Sequence, residues 1–274
     1  MEHRLQQLSK YAVMTLFSFI SLYPIFLMIM SSFKTKKEIT TSPLGLPHSF
    51  SFVNFIEVWN KVHFDEYFVN SVFVSGVSVI IILIISSMAA FYLARYTFRW
   101  NGAVLFFFML GLMLPMKLAI SPLYMQLMKL NLLDSLIGLI IVYIAGHISF
   151  AVFLFFGFFG TLPKDLDQSA RIDGCNDFQV YYKIVLPLMR PAMATVAITD
   201  LIHVWNDFFY PLVFIKSTEK GTIPLGMLNL FGEYDTEWNL LFSGLTLSSL
   251  PMIIAFLIAS RQFIEGLTAG AVKS

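Results

Sequence analysis

Apolar residues arrive in this chain as long unbroken runs, with neither the alternation of a half-buried strand nor the narrow stripe of a surface helix. Residues 11–33, 67–94, 135–163 and 238–260 contain no Asp, Glu, Lys or Arg. A helix needs about 20 consecutive apolar residues to cross a hydrocarbon core of about 30 Å, so each of these runs predicts a membrane span. Two further runs are apolar but interrupted. Residues 102–123 carry Lys117, and residues 193–214 carry Asp200, His203 and Asp207. Together the runs predict an all-α integral membrane protein with six spans, at about residues 11–33, 68–94, 102–124, 136–160, 193–214 and 239–260. The whole chain, residues 1–274, then reads as a single transmembrane domain.

Between spans, two stretches are long enough to do more than turn the chain. Residues 34–66 hold Pro43, Pro47 and two aromatic patches, and predict either a short amphipathic segment at the membrane surface or an irregular loop over the helix ends. Residues 161–191 are more specific. Pro163, Asp165 and Asp167 suit a helix N-terminus and Gly174 suits its left-handed stop, which predicts one helix over 164–173. Asn176 or Asp177 can cap a second helix reaching about Val185, where Leu186 and Pro187 end it. The hairpin mixes Leu166, Ala170, Ile172, Phe178, Tyr181, Tyr182 and Ile184 with Asp167, Gln168, Arg171 and Asp173. Such a surface fits docking by a cytoplasmic protein, or packing on this chain's own helix ends.

Composition agrees with the membrane reading: 57% of residues are hydrophobic and 13% charged, about half the charge of soluble chains, and the mean hydropathy is +0.75. A net charge of +1 gives no footprint for nucleic acid. The single Cys175 excludes an internal disulfide and a cysteine-built zinc cluster. Arg4 and Lys10 precede the first run, but its length and the lack of a small-residue cleavage pattern predict an uncleaved span. With both termini inside, ten Lys and Arg fall on the cytoplasmic side and seven outside, a small bias in the expected sense.

The hairpin residues carry a resemblance. Gln168-Ser169-Ala170-Arg171-Ile172-Asp173-Gly174, nine residues and then Ile184-Val185-Leu186-Pro187 resemble the signature Glu-Ala-Ala, three residues, Gly, nine residues, Ile-x-Leu-Pro. That signature marks the permease subunits of bacterial binding-protein-dependent ABC importers. Ser31-Ser32-Phe33-Lys34-Thr35, Asn70-Ser71, Trp205-Asn206-Asp207-Phe208 and the ending from Glu265 to Lys273 are similar to the maltose-type, carbohydrate-specific branch. The resemblance implies the shorter of two permeases in the bacterial cell membrane, with six spans and both termini cytoplasmic. It also implies a second permease, an ATPase dimer that binds ATP and Mg and receives the hairpin, and an extracellular or periplasmic sugar-binding protein. On this reading the chain is not itself an enzyme and holds no cofactor or metal. The tail at Glu265 and Lys273 is implied to reach the ATPase interface. The family's Glu and first Ala are Gln168 and Ser169 here; Asp167, one residue earlier, is a stand-in turned about 100° around the helix. The implied cargo is a sugar or oligosaccharide, or alternatively glycerol-3-phosphate or a polyol. A different class, a secondary transporter or channel half, would also explain charges at depth. The glycines of 221–226 are not followed by the Lys-Ser or Lys-Thr of a phosphate-binding loop.

Polar residues inside spans are costly and mark cavities or partners. On straight helices, Lys117 and Asp207 lie 15 and 14 residues from their span starts at Gly102 and Met193, both about 21–22 Å deep. They are expected to approach one another or share a water-filled vestibule. Asp200, His203, Asn206 and Tyr210, beside Trp205, offer donors, acceptors and flat aromatic faces for a sugar, or polar contacts that hold helices together. His147 is expected to make an interhelical hydrogen bond.

Overall fold

The computed structural model describes the backbone of residues 2–232 and 236–271 and the side chains of residues 6–232 and 236–263. All regular structure among them is helical. Gln6–Ser31, Phe64–Arg95, Leu136–Phe159 and Trp238–Phe263 are long and apolar enough to cross a bilayer, and they match the four uncharged runs. The last continues in backbone to Ala271.

The two interrupted runs differ from expectation. Residues 102–124 do not form one straight span: Asn101–Met113 and Met116–Lys129 meet at a bend of 85°. Leu114 and Pro115 are extended there, with ψ of 117° and 103°. The pyrrolidine ring disfavours helix at the residue before it. Nor does 193–214 form one helix. Arg190–Asn206 stops at Asp207, which is extended with ψ 124°, and the short helix Phe209–Phe214 follows. Asp207 accepts the Tyr210 N–H at 3.0 Å, satisfying a donor that the first turn of a helix leaves unpaired. At its other end Arg190–Asn206 meets Asp177–Leu188 at a 77° bend.

The chain forms two compact units. One comprises the residues up to Asp65 and Leu225–Pro251. Its 34–66 stretch contains the helices Lys36–Thr41 and Val53–Lys61. Lys34 is buried and donates to the carbonyls of Ser42 and Pro43. Asn54 donates to the carbonyls of Ser32 and Lys34 and accepts from Asn239. A buried lysine survives without a carboxylate because two carbonyl dipoles receive its ammonium.

The other unit comprises Glu66–Pro224 and the residues from Met252 onward. Its core gathers Ala90, Phe91, Ala151, Phe155, Phe159, Val180, Tyr181 and Val185. Phe91 meets Phe159 edge-on at 5.8 Å and Tyr181 at 5.3 Å. Ser86, Ser87 and Ala90 are fully buried, small residues of the kind that let membrane helices approach closely. The residues after Phe159 therefore fold directly onto the end of Phe64–Arg95.

Candidate functional site

The 161–191 hairpin is built by local chemistry. Helix Asp165–Ile172 ends at Gly174, whose φ of 85° is left-handed. Gly174 N–H bonds the Arg171 carbonyl and Cys175 N–H the Ala170 carbonyl, the paired closure that glycine permits at a helix end. Asn176 then caps the second helix through reciprocal bonds with Gln179. This helix does not end at Leu186-Pro187 as expected; it passes through a π turn at Val180–Val185 and reaches Leu188. The Leu186 N–H reaches back five residues to Tyr181. That wider turn displaces the carbonyls which a proline ring would strike in an α-helix, so Pro187 is accommodated.

One side of the hairpin is tied inward. Asp167, 5% exposed, forms an ion pair with Arg95 at 3.0 Å, and Arg95 also donates to the Leu162 carbonyl. Ala170, Val180, Tyr181 and Val185 are buried, and the Tyr181 hydroxyl pairs with Ser87 at 2.8 Å. The Asp167 carboxylate, which the sequence offers as a stand-in for the family's glutamate, is paired inward with Arg95. The other side faces out. Gln168, Ser169, Arg171, Asp173, Gly174 and Pro187 are exposed, while Ile184 and Leu186 are half-buried. Ile172 is 86% exposed, Phe178 58% and Tyr182 61%, the last two stacked on each other. Arg171 lies over the Tyr96 ring, donates to its hydroxyl and pairs with Asp177. Burial, with the Asp177 carboxylate beside it, pushes the Tyr96 phenol up to about 12.

The second feature is a cavity of about 320 Å³ lined by Pro115, Met116, Lys117, Tyr143, His147, His203, Asp207 and Tyr210. Lys117 and Asp207 face this same cavity through different contacts. Asp207 accepts from the Tyr143 hydroxyl at 2.9 Å, whereas the Lys117 ammonium stands 5.4 Å above the Phe209 ring. The two bends, and not equal depths on straight helices, bring them together. Asp200 is fully buried behind the cavity, with Oδ1 3.0 Å from His147 Nδ1, the interhelical bond expected of His147. His203 donates Nδ1–H to the Thr199 carbonyl at 2.7 Å. Asn206 is exposed and donates to its own helix at Ile202. Sequence reasoning missed Tyr143; its one usable signal is a position one turn before His147 on the same helix face. Glu265 is placed only as helix backbone, and its side chain and all of Lys273 lie outside the described residues. No metal-binding group of His, Cys, Asp and Glu occurs among the described residues.

Comparison with known proteins bears on both features. Residues 82–268 match the family described as binding-protein-dependent transport system inner membrane component. The chain is 36% identical to the probable ABC transporter permease protein YurM of Bacillus subtilis (strain 168), over 92% of this chain and 83% of that protein. It is 34% identical to the arabinooligosaccharides transport system permease protein AraQ of the same organism, over 97% and 98%. Its fold superposes with a TM-score of 0.81, at 23% identity, on the crystal structure of a bacterial ABC transporter involved in the import of the acidic polysaccharide alginate, covering 95% of this chain and 97% of that one. With four long apolar helices and two bent apolar segments among its described residues, this protein belongs to the family of binding-protein-dependent inner membrane transport components and is an ABC transporter permease.

Proposed function

We propose that this chain, acting as a single transmembrane domain, lines half of the translocation pathway of a bacterial importer for a sugar or oligosaccharide. The hairpin is the observation that carries the reading. It is rooted in the core by Arg95, Asp167 and Tyr181 yet presents Ile172, Phe178 and Tyr182 outward. A rigid projection with an apolar tip fits insertion into a cleft of another protein. In this reading the hairpin and both termini are cytoplasmic, and the hairpin docks on a separate ATPase dimer that binds and hydrolyses ATP with Mg. A second permease completes the pathway, and a soluble sugar-binding protein delivers cargo from outside. The names of the saccharide transporters to which the chain is similar support a saccharide cargo. The cavity, with a single lysine beside Asp207, is poorly suited to a phosphorylated solute.

The test is capture of this chain from membranes in mild detergent, followed by an ATPase assay with sugar-loaded binding proteins. Recovery of a second permease and an ATPase, with hydrolysis stimulated by one loaded binding protein, is the expected result. Recovery of the chain alone, with transport intact in liposomes, would replace this reading with a secondary transporter or channel.

A further inference from the structure

The cavity beside Asp207 does more than accommodate polar residues. Two breaks in helix geometry, at Leu114-Pro115 and at Asp207, open onto it. In membrane proteins irregular backbone at depth is tolerated where it lines a cavity, and such broken helices build transporter binding sites. Its volume of about 320 Å³ is at the lower end of the range of about 300–1,000 Å³ for small-molecule sites, which suits one ring and not a whole oligosaccharide.

The hydrogen-bonding character of the lining follows from its other contacts. A carbonyl can only accept, so His203 carries its proton on Nδ1, facing Thr199. His147 Nδ1 likewise donates to the Asp200 carboxylate. Nε2 of each ring takes no part in these bonds. The Asp207 bonds from the Tyr143 hydroxyl and the Tyr210 N–H both fall on Oδ2, which leaves Oδ1 as an acceptor. Lys117 supplies a charged donor. Tyr143 and Tyr210, buried rings that meet edge-on at 5.8 Å, add aromatic edges to the lining. An acceptor at Asp207, a charged donor at Lys117 and the formal charge balance of these two lining residues match a ligand rich in hydroxyl groups and without net charge.

We propose that this cavity is a subsite for one uncharged sugar ring, selecting against uronates, which would place a carboxylate beside Asp207. The proposal rests on the importer reading above and adds the class of cargo. Asp207→Asn is nearly isosteric and keeps an oxygen for Tyr143 and Tyr210, so it tests charge without removing the fold's hydrogen bonds. Lys117→Gln changes an exposed side chain and serves where Asp207→Asn fails to fold.

Saturation-transfer NMR on the assembly captured through this chain, held in lipid nanodiscs, reads binding directly. The probes are methyl glycosides of glucose, galactose and arabinose, against methyl glucuronide and methyl galacturonide. At least one neutral glycoside is expected to bind. Asp207→Asn should weaken it by about tenfold, as loss of a hydrogen bond to a charged group does, Lys117→Gln should also weaken it, and Asp207→Asn should let a uronate bind better than it does to the unaltered protein. That gain is a response a merely structural aspartate would not give. Failure of every neutral glycoside to bind, binding unchanged in both variants, or uronates bound as well as neutral probes would overturn the proposal. The capture and liposome experiment above separates the two readings: a chain recovered alone with transport intact, yet showing Asp207-dependent glycoside binding, would overturn the importer reading and leave the subsite standing.

Discussion

Removal of the Asp167 carboxylate should loosen the hairpin without unfolding the spans. The Arg95 and Asp167 side chains are 3% and 7% exposed and 3.0 Å apart. At an effective dielectric of about 20, two charges at that separation attract by about 5 kcal/mol. Much of that attraction offsets the cost of taking both ions out of water, so the pair as a whole adds little net stability. Asp167→Ala leaves the guanidinium buried with only the Leu162 carbonyl as a partner, and breaking a buried pair in this way costs about 3–5 kcal/mol. The double variant Arg95→Met with Asp167→Leu removes both charges and should lie within about 1 kcal/mol of the original. Trypsin reads the difference, since Lys164 and Arg171 are exposed cleavage points on the hairpin. Cleavage there should accelerate by about a hundredfold or more in Asp167→Ala, given one decade per 1.4 kcal/mol, and return close to the original rate in the double variant. Single variants that change the rate less than fivefold, or a double variant as labile as the product of the singles, would refute the buried-pair argument.

Gly174→Ala should destabilise the hairpin by about 1–2 kcal/mol through backbone strain alone: φ is 85° and no atom lies within 4 Å of the added Cβ. The same trypsin assay reads it, and Gly174→Asn should cost less, since asparagine tolerates the left-handed region. Asn176→Ala removes one half of the reciprocal cap and should cost about 1 kcal/mol, seen as faster amide exchange at Gln179 and Val180. Glu38 is held at about 2, below its ordinary 4.5, first by the Thr35 N–H, then by the Thr35 hydroxyl and the His48 N–H. A depressed carboxyl pKa contributes stability that is fully present above the ordinary value and lost as pH falls through the folded value. Amide exchange in residues 35–48 should therefore show an added opening between pH 4.5 and 2, and Glu38→Gln should abolish that pH dependence.

The straight spans and the hairpin are legible in the sequence because their determinants are local. An uncharged run of span length has few soluble alternatives, and Gly174 and Asn176 act on backbone groups within four residues of themselves. The two bent segments are not, although Pro115 and Asp207 stand in plain view. Hydropathy over 102–124 and 193–214 measures transfer to lipid and is indifferent to where the backbone turns. Asp207 could have continued the helix; its extended backbone goes with bonds to Tyr143, from a different helix, and to Tyr210 ahead of it. Arg95 and Asp167 are likewise distant in sequence and share no periodic pattern, so their pairing is visible only once Phe91, Phe159 and Tyr181 have packed. Tyr143 was missed because an aromatic residue inside an apolar run is ordinary in a membrane helix, so its place one turn before His147 does not stand out.

The ionisable groups of the second unit divide by burial, and that division has a mechanical meaning. Arg95 and Asp167 are inside, where a charge pair contributes little net stability but defines one geometry, since any displacement leaves an unpaired ion. The proposed docking of the hairpin on an ATPase needs such a root, because a joint held by apolar packing alone can slide at small cost. Lys117 and His203 are exposed at the mouth of their cavity, where water can take over their hydrogen bonds when no ligand is present. Under the proposed subsite, selectivity can therefore change through Lys117 and His203 with little effect on the fold, whereas the hairpin root tolerates change only when both partners change together.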